Sequence, residues 1–84
     1  MTWRWILTAA AEKQLDRLDP DLRDRVIRRL DAISEDIRHP SIRKLEGGLG
    51  YRLRLGDFRV IFQIDSKNQT IVVTKIGDRK DVYR

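Results

Sequence analysis

The chain has 84 residues, of which 40% are hydrophobic and 37% charged, with 5 Gly, 2 Pro and no Cys. This length fits one compact domain spanning residues 1–84, and the composition is too apolar for a disordered tail and too charged for a membrane protein. The lack of cysteine excludes disulfide stapling and thiolate chemistry, and a lone histidine, His39, excludes any site built from two, so neither a metal nor another cofactor is expected.

The uncharged run from Trp5 to Ala11 is far short of the roughly 20 residues that span a bilayer, and no cleavage-site pattern follows it. No signal peptide or anchor is expected, and the chain reads as cytoplasmic. The formal charge of +5 is unevenly placed. Residues 1–40 carry 8 Lys and Arg against 8 Asp and Glu, whereas residues 41–84 carry 10 against 5. A basic surface confined to the second half of a small domain suits a polyanion, because neutralising phosphates takes a concentrated patch.

In residues 2–8, Trp3, Trp5 and Leu7 alternate with Arg4, Ile6 and Thr8, the period of a strand with one buried face. Thr8 offers a capping hydroxyl to a helix from Ala9 to Leu18, with Ala11, Leu15 and Leu18 on one side. Asp19 as cap and Pro20 at the first helical position start a second helix to about Ile37, with an apolar stripe of Leu22, Val26, Leu30, Ile33 and Ile37. The two helices are expected to form an antiparallel hairpin. Arg23, Arg25, Arg28 and Arg29 on the second helix are interleaved with Asp21, Asp24, Asp31, Glu35 and Asp36, which makes a solvated face rather than a recognition helix.

After a loop with Gly47, Gly48 and Gly50, Tyr51 to Leu55 and Phe58 to Ile64 alternate again and read as a hairpin. A polar turn over residues 65–70 leads to an apolar strand, Ile71 to Ile76, and a short tail. The order is strand, two helices and a three-strand meander, an α+β fold in which the helices cover one face of an antiparallel sheet.

Gly56-Asp57, with glycine first, suits a type II′ turn and sets Leu55 opposite Phe58, Arg54 opposite Arg59, Leu53 opposite Val60 and Arg52 opposite Ile61. Arg52, Arg54 and Arg59 then point away from the apolar face made by Tyr51, Leu53, Leu55, Phe58, Val60 and Phe62. Two guanidinium groups about 5 Å apart repel by roughly 3 kcal/mol at an effective dielectric of 20, and they cannot shed protons to escape. Such clustering suggests a missing anion. The bland alternative is that the side chains splay toward carboxylates such as Asp57, Asp78 or Asp81. Arg79 and Tyr83, following the last strand, could bring a further cation and a stacking ring to the same face, a combination that suits RNA. Removing Arg54 or Arg59 should then leave the fold intact or slightly more stable, by relieving repulsion.

The stretches LEGGLGYRLRLGDFRVIFQID and IVVTKIGDRKDVY resemble the RelE toxins of the RelE/ParE superfamily. The resemblance implies a sheet packed on two N-terminal helices, metal-independent cleavage of mRNA in the ribosomal A site, and inhibition by a cognate antitoxin. It assigns the catalytic positions to Arg52 and Arg54 (proton transfer and phosphate binding), Arg59 (transition-state stabilisation), Arg79 (near the leaving group) and Tyr83 (stacking or orienting a base). Arg52 and Arg54 stand where the best-studied relatives have lysine, and a guanidinium is a poor general base. Asp78 stands before Arg79 where many relatives have histidine. The competing expectations are a ParE-like toxin that poisons DNA gyrase and an RNA- or ribosome-binding module without chemistry.

Overall fold

A computed structural model describes residues 3–38 and 42–78. Strand β1 (Arg4–Leu7) leads into α1 (Ala9–Asp16) and α2 (Pro20–Glu35), followed by β2 (Ile42–Lys44), a 3-10 turn at Glu46–Gly48, β3 (Tyr51–Leu55), β4 (Phe58–Asp65) and β5 (Thr70–Asp78). Both helix starts follow from their caps. Thr8 Oγ1 accepts from Ala11 N at 3.2 Å, and Asp19 Oδ1 accepts from Leu22 N at 3.1 Å with Pro20 at the first helical position. Each helix stops about two residues before the apolar pattern does, so Leu18 and Ile37 pack against the core from the chain beyond the helix ends. No helix among the described residues is long and apolar enough to cross a membrane.

The strands form one sheet in the order β1-β5-β4-β3-β2. Two features depart from the expected meander. First, β1 runs parallel to β5, pairing Trp5 with Ile71 and Leu7 with Val73, so the sheet is mixed rather than wholly antiparallel. The two helices carry the chain back over the sheet before the antiparallel strands begin, and that crossover is what a parallel pairing requires. Second, residues 42–44, read as loop, are an edge strand paired antiparallel to β3.

Ala11, Leu15, Val26, Leu30 and Ile33 of the helices pack with Leu53, Leu55, Val60, Phe62, Ile71, Val73 and Ile76 of the sheet in one core. Tyr51 stacks on Phe62 at its margin, with ring centroids 5.7 Å apart. Trp5 Nε1 donates to Asp31 Oδ1 at 2.8 Å and ties β1 to α2, while Ile76 N donates to Gln14 Oε1 at 2.6 Å and ties β5 to α1.

Val73 and Ile76 both face the core although they are three residues apart, which strict alternation forbids. A bulge resolves the conflict. The register shifts so that Phe62 opposes Val73 and Ile61 opposes Lys75, leaving Thr74 as the extra residue, with its Oγ1 donating to Ile61 O at 3.3 Å. At the far end of the hairpin, Asn68 donates to the Asp65 carboxylate through Nδ2 at 2.8 Å and its backbone N at 3.3 Å. These two bonds hold the Asp65 carboxyl below its ordinary range.

Candidate active site

With both helices on one face of the sheet, no helix among the described residues covers the other. The β3–β4 turn decides what stands there. Gly56 has φ +61° while Asp57 keeps a negative φ, as a type II′ turn requires, and the pairing is the expected one: Arg54 opposite Arg59 and Arg52 opposite Ile61. The edge strand adds Arg43 directly opposite Arg52. Two arginine pairs therefore sit side by side, two residues apart along the strands.

The three expected arginines differ in environment. Arg54 is exposed. Arg52 is half-buried, and its Nε is sequestered from solvent with no hydrogen-bond partner. Arg59 is only 3% exposed. Its Nη1 donates to Gly56 O at 2.7 Å and Phe58 O at 2.9 Å, and its Nε, like that of Arg52, is buried and unpartnered. Gly77 opposes Arg59 on the β5 side, so no side chain competes for that space.

This geometry corrects the sequence reading of Arg59. Its guanidinium neither splays to a carboxylate nor stands free against Arg54; it curls back and braces the carbonyls of its own turn. Removing it therefore costs hydrogen bonds and packing rather than only relieving repulsion. The buried positive charge has two neutral acceptors and, at Nε, a buried N–H without a partner, and the neighbouring Arg52 has another. A buried cation with unfilled donors is costly unless an anion completes it. Two such cations on neighbouring strands attract a phosphate to this face through their charge.

Arg79 and Tyr83 lie outside the described residues, as does His39. Sequence reading missed Arg43 and Lys75. Lys75 had a signal: the three-residue interval between Val73 and Ile76 demands a bulge, and the bulge turns Lys75 to the helix-free face. Arg43 had none, because three residues are too few to show a period. Among the described residues, no group of three His, Asp or Glu is placed to hold a metal.

The chain matches the family described as "ParE toxin of type II toxin-antitoxin system, parDE" over residues 5–83. It is 30% identical over 81 residues to Toxin RelG of Mycobacterium tuberculosis (strain ATCC 25618 / H37Rv), covering 92% of this chain and 91% of that one. The chain belongs to the RelE/ParE superfamily of type II toxins. Solved RelE structures carry the same fold. The RelE–RelB complex of Pyrococcus horikoshii OT3 superposes with a TM-score of 0.79 at 29% identity, covering 94% of this toxin and 97% of that chain. The isolated RelE toxin of E. coli superposes with a TM-score of 0.78 at 22% identity, covering 99% and 92%. The RelBE2 toxin-antitoxin complex of M. tuberculosis gives 0.83 at 20% identity, covering 94% and 100%. In this RelE/ParE toxin, the unfilled donors of Arg52 and Arg59 lie on the helix-free face of the sheet.

Proposed function

We propose that this toxin is a ribosome-dependent endoribonuclease that cuts mRNA in the A site and so blocks translation. The observation that carries the reading is the desolvated, incompletely partnered charge of Arg52 and Arg59, which the strand register assigns to the helix-free face. In the proposed reaction the 2′-hydroxyl 5′ to the cut attacks phosphorus in line and the P–O5′ bond breaks, giving a 2′,3′-cyclic phosphate and a 5′-hydroxyl. Arg52 and Arg59 hold the non-bridging oxygens, whose negative charge grows in the transition state, and exposed Arg54 approaches the same phosphate from solvent. Guanidinium groups stabilise charge but do not accept the 2′-hydroxyl proton, which passes to solvent water, and the departing O5′ takes its proton from solvent in turn. Arg79 acts near the leaving oxygen, and Tyr83 stacks on a base.

Toe-printing on programmed ribosomes tests the reading. Cleavage within the A-site codon is expected, and it should survive EDTA so long as magnesium keeps the ribosomes intact. Cut DNA accumulating with gyrase would instead favour the ParE-like alternative, and binding without cleavage a non-catalytic module. In the same assay Tyr83→Phe should lose little, whereas Tyr83→Ala should lose stacking worth about 1 to 3 kcal/mol, roughly 5- to 150-fold in rate. A large loss from the phenylalanine change alone would move the hydroxyl into proton transfer.

The proposed partner that restrains the enzyme is a cognate antitoxin, in keeping with the RelB-bound relatives. An acidic segment that folds on binding would match the basic face. Co-expression with the neighbouring gene product should neutralise the toxin.

A further inference from the structure

The basic face extends beyond the residues that the proposed chemistry uses. Arg43 on β2 opposes Arg52 on β3, Arg52 opposes Ile61 on β4, and Ile61 opposes Lys75 on β5. These four positions form one row straight across the sheet. At about 4.8 Å between strands, Arg43 and Lys75 stand roughly 14 Å apart, one at each end. The parallel row two residues along holds Arg54, Arg59 and Gly77. Ile61 is only 8% exposed although it stands on the helix-free side, with the long stems of Arg52 and Lys75 on its two flanks.

Several observations mark Arg43 and Lys75 as more than solubilising charge. Neither side chain forms a hydrogen bond or ion pair with another described residue. Among the described residues, the strand register places a single carboxylate on this face, Asp65 at the far end, and Asn68 occupies it. Lys75 reaches the face only because β5 carries a bulge; in strict alternation from Val73 it would point into the core. Arg43 is exposed at the sheet edge, open to a strand passing over it.

We propose that Arg43 and Lys75 are positioning residues that grip the RNA backbone phosphates on either side of the scissile one, drawing a single strand across β2 to β5. The inference rests on the nuclease reading for what lies between them. The two residues hold substrate without touching the reacting atoms. Their contribution is electrostatic and independent of base sequence, as expected of phosphate contacts.

The test uses the full chain and a single-stranded RNA whose scissile nucleotide carries 2′-deoxyribose, which binds but cannot be cut. Affinity is followed by fluorescence anisotropy from low to moderate salt. Arg43→Gln and Lys75→Gln should each reduce the slope of log K against log salt by about 0.7, the double variant by about twice that, with the same loss for RNAs of different sequence. Arg43→Lys should keep the slope. Lys67→Gln, which removes the same charge at the exposed turn beyond β4, should leave it unchanged. On programmed ribosomes the double variant should show a raised KM with an unaltered single-turnover rate at saturation. A wild-type slope in the double variant, or a slope change as large for Lys67→Gln, would overturn the proposal, as would a fall in the saturated rate. Should the wild type bind RNA with this slope dependence but cut no mRNA on ribosomes, the track stands and the nuclease reading fails. Should it cut mRNA while the double variant binds as the wild type does, only the track fails.

Discussion

Arg59→Ala is expected to lower single-turnover cleavage on programmed ribosomes by about 10²- to 10³-fold, the usual effect of removing one preorganised donor from a developing oxyanion. The same change is expected to destabilise the fold by about 1 to 3 kcal/mol, because two charge-assisted hydrogen bonds and a buried stem are lost. Relief of repulsion does not offset this, since Arg54 is exposed and can turn its guanidinium into solvent, where such interactions are worth at most about 1 kcal/mol. In a domain of this size each kcal/mol lowers Tm by about 4 to 8 °C, well within reach of a circular-dichroism melt. Arg59→Met separates the two effects. It keeps the buried stem and removes the desolvated charge, so it should melt closer to the wild type and be as inactive as the alanine variant. A well-folded Arg59→Met protein with full cleavage would falsify the site. Arg54→Ala, in contrast, should lose activity with Tm nearly unchanged.

Gly50→Ala is expected to be the most damaging change among Gly47, Gly48, Gly50 and Gly56, lowering stability by about 2 to 4 kcal/mol and Tm on the order of 10 to 20 °C. Gly50 has φ +96°, and a Cβ there would lie 2.5 Å from Phe62 O and 2.8 Å from Gln63 Nε2. The glutamine can swing away, but the Phe62 carbonyl belongs to a buried central strand. The added methyl must therefore push the start of β3 off β4, where Tyr51 pairs with Phe62 and stacks on its ring. Arg52 and Arg54 ride on that strand, so whatever folds should cleave poorly. Gly48→Ala provides the control: φ is +72°, a methyl there would meet nothing within 4 Å, and only backbone strain of about 1 to 2 kcal/mol is expected. Equal melting temperatures for the two variants would show that close approach to Phe62 O is not what keeps residue 50 a glycine.

Local chemistry decides much of this toxin. Thr8 and Asp19-Pro20 start the helices by supplying their own caps, and period-two alternation marks β1, β3 and β4 as half-buried strands. Gly56-Asp57 sets the register of the hairpin and, through it, the common face of Arg52, Arg54 and Arg59. Each of these signals lies within a few residues of what it controls, so the amino-acid order alone is enough to read it. The rest depends on partners distant in the chain. The parallel pairing of Arg4 with Thr70, 66 residues apart, leaves no local trace, and the three residues of β2 are a strand only because β3 is there to pair with them. The burial of Arg59 belongs to this second kind. Alternation put it on the open face, but only the assembled sheet, with the turn carbonyls behind it and Gly77 beside it, holds the guanidinium down with an N–H unfilled. Sequence thus determined that Arg52, Arg54 and Arg59 share a face, while tertiary structure added Arg43 to it and decided which cations are desolvated, because desolvation is set by neighbours that the fold brings in from elsewhere in the chain.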